Sequence, residues 1–230
     1  MNLHGVQHMK KGLIILVLCL LIGGCGSMPL LGNLLQSPTK TAASGVLFSD
    51  DFSQQSSGWE TYSTALGAAG VRRGMFTITV DKRNTDLYSV PGELIKDAVV
   101  SVSAGKLDGE ATANYGVLCR YQDNENFYAA QITTDGYAGI FKMENGAYGL
   151  IGREVYLPAP PVLGGSAQNL IQFRCEADQL ILSVNGQVID SQRDESFSSG
   201  DVGIIAGTYL EQGITIGFDD FSVRNISPAP

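Results

Sequence analysis

Met75-Phe76-Thr77-Ile78-Thr79-Val80 alternates apolar and polar side chains, so that Phe76, Ile78 and Val80 share one face. Successive side chains of a β-strand point to opposite faces, and a period of two therefore predicts a half-buried strand. The same alternation recurs in residues 180–184 and 213–218. The sequence lacks the spacing of an amphipathic helix sustained over three turns. We therefore predict an all-β domain.

Two Asn-Gly pairs mark hairpins in this pattern. Asn145-Gly146 separates apolar runs 139–143 and 147–151, and Asn185-Gly186 separates 180–184 from 187–190. A tight type I′ turn needs positive φ at both central residues, which Asn and Gly adopt at low cost. Roughly a dozen strands in one domain would leave a face of a single open sheet uncovered. We therefore predict a two-sheet antiparallel sandwich over residues 45–226, followed by a tail at 227–230.

The first residues of the chain have the pattern of a secretion signal. Lys10 and Lys11 precede an apolar run from Leu13 to Ile22. This run is about half the length that a membrane-spanning helix needs, which favours a cleaved signal peptide over an anchor helix. Met9 is an alternative initiator, because residues 9–11 alone supply the charged start.

Residues Leu21-Ile22-Gly23-Gly24-Cys25 resemble the lipobox of bacterial lipoproteins, in which the cysteine is acylated and the chain is cut just before it. The resemblance implies a signal peptide over residues 1–24 and a covalent lipid on Cys25. Residues 25–44 would then be a lipidated, flexible tether to the membrane. We expect the protein to be anchored at the cell membrane or cell surface, outside the cytoplasm; the alternative is a plain secretory signal.

Composition limits what the mature chain can do. The full chain has a net charge of −8, and removal of residues 1–24 discards two lysines and no acid, which leaves about −10. An acidic chain is a poor ligand for phosphates, so we predict no nucleic-acid partner. Both histidines, His4 and His8, lie in the discarded segment. This excludes Ser-His-Asp and Cys-His catalysis and histidine-ligated zinc.

Two of the four cysteines remain once Cys19 is removed and Cys25 carries lipid. Cys119 lies in register with Val117, and Cys175 with Phe173, on the apolar side of their strands. Because exported chains meet an oxidising environment, this pair predicts a disulfide. Two free buried thiols are the alternative.

Several motifs, taken in chain order, resemble concanavalin A-like (laminin G-like) jelly-roll domains found on bacterial lipoproteins. These motifs are Tyr115-Gly116-Val117-Leu118-Cys119-Arg120-Tyr121, Asn126-Phe127-Tyr128, Leu182-Ser183-Val184-Asn185-Gly186, Gly200-Asp201-Val202-Gly203 and Phe218-Asp219-Asp220-Phe221. The resemblance implies a jelly-roll sandwich, a fold that hosts lectins, carbohydrate-binding modules and glycosidases. The Gly58-Trp59 pair is similar to the start of uncharacterised 3-keto-disaccharide hydrolase-type domains.

Carboxylates are the basis of the catalytic alternative. Glycosidases on such sandwiches carry a Glu-x-Asp-x-x-Glu strand, and this sequence has no such segment. Glu93, Asp97, Asp108 and Glu110 are the nearest acidic group. We therefore predict no catalytic residues and expect binding of a glycan or another envelope component. A carboxylate-based glycoside hydrolase and a structural lipoprotein with a protein partner are the alternatives.

Acidic pairs near the two ends of the domain suggest a cation. Asp50-Asp51 follows the first predicted strand and Asp219-Asp220 lies in the last. If these strands pair, Asp51 and Asp219 come close, and a structural calcium would remove their repulsion. Aspartates bonded to loop amides or solvent are the alternative interpretation.

Candidate ligand-binding side chains cluster in the central strands and after the first strand. With Val117 and Cys119 facing the core, Arg120 is expected to face outward. We predict ligand contacts from Trp59, Arg120, Tyr121, Tyr128, Gln131 and Tyr137. Core packing of Trp59, and an ordinary exposed sheet face for the others, are the alternatives.

Overall fold

The computed structural model describes residues 45–55, 58–110 and 112–226. The predictions for the signal peptide, Cys25, the tether and the tail at 227–230 lie outside these residues. Every regular element in the described residues is a β-strand, and the predicted all-β sandwich of two antiparallel sheets is confirmed. No helix in these ranges is long and apolar enough to cross a membrane.

The larger sheet, sheet A, has the strand order β14-β13-β12-β6-β16-β4-β3-β2, and β1 pairs with the remaining length of β16. Its strands are β1 (Val46–Asp50), β2 (Tyr62–Thr64), β3 (Gly67–Arg72), β4 (Met75–Val80), β6 (Ala98–Asp108), β12 (Asn169–Glu176), β13 (Gln179–Val184), β14 (Gln187–Arg193) and β16 (Ile214–Arg224). The first and last strands of the domain are therefore neighbours, with Asp50 opposite Phe221.

The second sheet, sheet B, has the order β10-β9-β8-β7-β15-β5, and β11 adds to β9. Its strands are β5 (Thr85–Ser89), β7 (Ala113–Asp123), β8 (Asn126–Thr133), β9 (Tyr137–Glu144), β10 (Ala147–Leu150), β11 (Leu157–Pro158) and β15 (Asp201–Thr208). The two Asn-Gly pairs lie between β9 and β10 and between β13 and β14. Asn145 and Asn185 both have φ of 50°, as their tight turns require.

The main core fills the space between the sheets. Phe76, Ile78 and Val80 of β4 are fully buried there, as their alternation predicts. A disulfide joins Cys119 of β7 to Cys175 of β12 and so links sheet B to sheet A through this core. Apolar packing and this disulfide therefore hold the two sheets of the described domain together.

Candidate functional site

Sheet B carries a second apolar cluster on the face that points away from the core. Outward positions alternate with core positions along each strand. This outer face of sheet B has Leu118, Phe127, Ala129, Phe141 and Ile205 at its centre. Partly buried tyrosines pack against the same cluster. The residues at its centre are buried beneath these tyrosines, so the cluster is a second, smaller core on the outer side of sheet B.

Aromatic rings form a continuous row across this outer face. Their successive ring contacts join Tyr121, Tyr88, Phe127, Tyr148, Phe141, Tyr156 and Tyr209. Phe141 and Tyr148 stack nearly parallel, with centroids 5.0 Å apart and an interplanar angle of 8°. Flat rings of this kind offer a large contact area together with hydroxyl groups that form hydrogen bonds.

A carboxylate and an amide meet at one end of the row. Gly207 lies between Asp86 on β5 and Asn114 on β7 in the ladder of sheet B. Asn114 Nδ2 donates a 2.7 Å hydrogen bond to Asp86 Oδ1 above this glycine. A Cβ at position 207 would overlap Asp86 Oδ1, so the absence of a side chain allows the contact. Burial raises the pKa of Asp86, and the hydrogen bond from Asn114 opposes that shift.

Gln131 lies beside this pair on β8, between Gly116 of β7 and Gly139 of β9. Tyr148 donates its hydroxyl proton to Gln131 Oε1 at 3.1 Å. Gln131 is fully buried and Asn114 is 1 % exposed. Within the described residues, Gln131 Nε2 and Asn114 Oδ1 are buried side-chain atoms without a hydrogen-bond partner. Such atoms are costly, and their presence points to a ligand or a water.

Tyr156 and Tyr209 complete the arrangement, and their hydroxyl groups contact each other. Burial raises the pKa of Tyr156, and the neighbouring Tyr209 and Asp86 raise it further. Burial also raises the pKa of Tyr148, to which Asp86 contributes. The Asp86 carboxylate thus acts electrostatically on the phenol groups of Tyr148, Tyr156 and Tyr209. We call Asp86, Asn114, Gln131, Tyr148, Tyr156 and Tyr209 the polar cage.

An open cleft of about 660 Å³ lies at the other end of the outer face. Val90 and Tyr121 line it together with Glu60 and Asp201. The Asp201 carboxylate accepts 2.8 Å hydrogen bonds from the backbone N–H groups of residues 92 and 93. Burial nevertheless raises the pKa of Asp201. The outer face therefore has one enclosed polar end and one open end.

Three of the predicted ligand contacts lie on this face. Gln131 belongs to the polar cage, and Tyr121 contributes to the aromatic row and to the open cleft. Tyr137 is 42 % exposed and shares the outward side of β9 with Phe141 by alternation. The structure therefore brings part of the predicted group to one surface.

Arg120 is a correction, because its side chain faces the interior and not the ligand face. A bulge interrupts β7, and Arg120 has φ of 53°. Its guanidinium, 1 % exposed, donates to three backbone carbonyl oxygens and pairs with Asp97 at 3.0 Å. The prediction assumed unbroken alternation after Cys119, which a bulge invalidates.

Tyr128 and Trp59 are also corrections. Tyr128 lies opposite Cys119 and is fully buried in the main core, where its hydroxyl donates to Asp194 at 2.6 Å. Trp59 is 7 % exposed and packs edge-on against Phe221, with its indole N–H donating to Asp50 at 3.0 Å. Neither side chain is accessible to a ligand on the outer face.

Sequence reasoning missed most of the polar cage, namely Asp86, Asn114, Tyr148, Tyr156 and Tyr209. One signal for Asn114 is present in the sequence: with Val117 and Cys119 expected to face the core, Asn114 has the opposite parity on the same strand. No comparable signal existed for Tyr156 and Tyr209, which lie in loops.

The calcium prediction stays a prediction. Burial raises the pKa of Asp219, and repulsion from Asp220 and Asp51 raises it further. Asp51 Oδ1 accepts hydrogen bonds from the backbone N–H and hydroxyl of Ser53. In residues 45–55, 58–110 and 112–226, no group of three or more His, Cys, Asp or Glu side chains is arranged to hold a metal.

Comparisons with known proteins address the fold. No protein-family model matches the sequence, and no curated protein matches it. Carbohydrate binding module CBM66 from Bacillus subtilis is similar in structure, with a TM-score of 0.56, 18% identity, and coverage of 74% of this chain and 96% of the other.

Two further solved structures have the same architecture. A β-1,3-1,4-glucanase (lichenase) from a mouse hindgut metagenome has a TM-score of 0.57 at 12% identity, covering 78% of this chain and 99% of the other. A Bacillus subtilis protein described as galectin-like in fold has a TM-score of 0.55 at 11% identity, with coverage of 79% and 96%. At these identities the likeness concerns the fold, and the described domain is a concanavalin A-like jelly-roll sandwich.

Proposed function

We propose that this protein is a lipid-anchored, extracytoplasmic lipoprotein. Its sandwich binds a glycan on the outer face of sheet B and does not catalyse a reaction of that glycan. The observation that carries the proposal is the pair of unpartnered atoms, Asn114 Oδ1 and Gln131 Nε2, buried next to a row of aromatic rings. One is an acceptor and the other a donor. A ligand that satisfies both must itself donate and accept at neighbouring positions.

Sugars have this chemistry. Each hydroxyl can donate one hydrogen bond and accept others, so vicinal hydroxyls match an amide oxygen next to an amide N–H. Asn114 and Gln131 are diagonal neighbours on adjacent strands, which places them about 7–8 Å apart at the backbone. The C–H faces of a pyranose are apolar and complement flat tyrosine rings. Sites of this type are typically apolar surfaces with a few fixed polar groups.

The comparisons support the proposal at the level of the fold. One similar structure is described as a carbohydrate binding module and another as a β-glucanase. This fold carries both activities and others, so the choice between them depends on the residues of this chain.

At the polar cage, the carboxylate positions favour binding over hydrolysis. Glycoside hydrolysis commonly uses two carboxylates, one as general acid and one as base or nucleophile. Near the polar cage, Asp86 accepts a hydrogen bond from Asn114, and Asp135 accepts one from Thr133 Oγ1 at 2.5 Å. Both carboxylates are thus engaged by their own neighbours. Release of shortened sugars from a bound oligosaccharide would overturn the non-catalytic part of the proposal.

Attachment to the membrane depends on Cys25. We propose that its thiol carries lipid, because the preceding residues have the lipobox pattern. Metabolic labelling with an alkyne fatty acid tests this directly in a bacterial host. Label on the wild type that is lost in Cys25→Ser supports the anchor, whereas equal labelling of both would contradict it.

A glycan array probed with the full chain in detergent tests the binding itself. Gln131→Met removes the buried amide at nearly constant volume, and Gln187→Met makes the same change at an exposed position of sheet A. We expect glycan signals for the wild type and Gln187→Met that are lost in Gln131→Met. No signal for any of the three, with capture of one stoichiometric protein from the envelope instead, would favour a structural lipoprotein.

A further inference from the structure

We infer that the polar cage selects a protonated amino sugar over neutral and acidic sugars. This inference rests on the proposed function and deepens it, because it names the class of glycan. Two features support it: the balance of hydrogen-bond donors and acceptors around Asp86, and the side chains of the strands next to Asp86.

Acceptors outnumber donors at the Asp86 end of the cage. An ionised carboxylate offers about four lone-pair positions, and Asn114 Nδ2 is the donor that the structure places on it. Asn114 Oδ1, from the same amide, is buried without a partner. If the Asn114 amide were flipped, its oxygen would lie against the ionised Asp86 carboxylate, and the two acceptors would repel each other. The NH₂ group of Asn114 therefore faces Asp86. A group with several donors and no acceptor fits this end.

An ammonium group has this character, since it carries three N–H donors and accepts nothing. A hydrogen bond from a charged donor to a carboxylate is roughly twice as strong as one between neutral groups. In an amino sugar the ammonium stands next to hydroxyl groups. One of these can accept from Gln131 Nε2, the unpartnered donor of the cage.

The surrounding side chains favour a cation. The outward positions of β5, β7, β8, β9, β10 and β15 that surround Asp86 and Gln131 carry no lysine or arginine. Of the nearby cations, Lys142 is paired with Glu144 and Asp194, and Lys82 and Arg83 are exposed in the loop before β5. Asp135 adds a second negative charge near Tyr156 and Tyr209. Aromatic faces also attract cations through their ring quadrupoles. A uronic acid would meet these carboxylates without a neutralising partner on the strands.

Calorimetric titration of the full chain in detergent tests this selection. The ligands are a glucosamine tetramer, its N-acetylated counterpart and a galacturonic acid tetramer, at about pH 6, where a sugar amine is protonated. We expect the glucosamine tetramer to bind at least about tenfold more tightly than the N-acetylated one, and the acidic tetramer to give no binding.

Two variants distinguish the effect of the polar cage on binding from the effect of the protein's overall negative charge. Asp86→Asn should remove the tenfold preference, whereas Glu211→Gln, which removes one charge from an exposed loop, should retain it. If the N-acetylated tetramer binds as well as the amine, the inference fails while the proposed glycan site stands. If none of the ligands binds and the glycan array is silent, the proposed function fails as well. The wild-type comparison decides the inference even if Asp86→Asn does not fold.

Discussion

Asn114 Nδ2 lies 2.7 Å from Asp86 Oδ1, and the two side chains meet above Gly207, on the strand between them. This contact explains why a glycine occupies a position within β15, since glycine is usually unfavourable inside a strand. The same contact uses Asn114 as a donor and leaves its carbonyl oxygen without a partner. The contact between Asp86 and Asn114 in the polar cage therefore requires a glycine at position 207.

Gly207→Ala is expected to weaken ligand binding by at least about tenfold, because the new Cβ occupies the space of Asp86 Oδ1 and displaces the carboxylate. Gly149→Ala on β10 is the matched control, since a Cβ there meets no atom within 4 Å. Calorimetric titration with the best array ligand measures both. Unchanged affinity in Gly207→Ala, with a normal melting curve, would contradict the role of Asp86.

Tyr148→Phe should lower the free energy of unfolding by about 1 kcal/mol and reduce affinity several-fold, because the Gln131 amide loses the hydrogen bond that fixes its orientation. The hydroxyl that donates to Gln131 Oε1 disappears, at a cost of about 1 kcal/mol, while the stack on Phe141 remains. Tyr115→Phe, which removes a hydroxyl that accepts from Asn169 in the main core, is the control and should bind normally. The account would be wrong if the two variants behaved alike in titration.

Alternation in the sequence was sufficient to predict most of the fold. Residues 75–80, 180–184 and 214–218 form strands where a period of two placed them, and both Asn-Gly turns close hairpins. These features are local, because a strand's facing and a tight turn's backbone depend on a few adjacent residues. Pairing of the two end strands was only a condition of the calcium prediction, and the structure shows it between β1 and β16.

The site was predicted less well because it depends on non-local geometry. The bulge at Arg120 turns two successive side chains, Cys119 and Arg120, inward, and no residue pattern announces it. Tyr128 and Gln131 are three residues apart and so point to opposite faces of β8. Of these two predicted ligand contacts, Gln131 therefore lies on the outer face and Tyr128 in the main core. Tyr156 and Tyr209 reach the cage from loops whose course the sequence does not specify.

Arg120→Met is expected to lower the free energy of unfolding by about 3 kcal/mol or more. It removes the donor to three backbone carbonyl groups, of which that of Phe197 is buried, and leaves Asp97 without its cation. Denaturant unfolding measures the loss, and Arg193→Met, at an exposed ion pair, should cause a much smaller one. If a fully folded Arg120→Met protein lost ligand binding, Arg120 would be a ligand contact and its assignment to the interior would be wrong.

Replacing both Cys119 and Cys175 by alanine should destabilise the domain by about 4 kcal/mol, as expected from the entropy of closing a loop between residues 56 positions apart. Midpoints of denaturant unfolding, compared with and without reductant, measure this. Reductant should lower the midpoint of the wild type and leave the double variant unchanged. A wild-type midpoint insensitive to complete reduction would contradict a stabilising link between the sheets.

Acid should remove the contribution of Asp194 to stability. Partial burial acts to raise its pKa, but hydrogen bonds from Lys142, Tyr128 and Ser196 outweigh burial and lower the pKa to about 2. A lowered carboxyl pKa stabilises the fold fully above the ordinary value of 3.8, and this stability is lost as the pH falls through about 2.

Melting temperatures of the wild type and Asp194→Asn between about pH 5 and about pH 2 test this. The wild type should be the more stable at the upper pH, and the difference should shrink on acidification. Glu195→Gln, its exposed neighbour, is the control. A constant difference across the range would contradict the assigned pKa.

The side-chain amide resonances of Asn114 and Gln131 give the most direct test of the central claim, that a glycan binds on the outer face of sheet B. In a ¹⁵N-labelled protein titrated with the array ligand, both NH₂ groups should shift with the same saturation curve, together with amides of the surrounding strands. Saturable shifts confined to sheet A, with these two groups unmoved, would contradict the account.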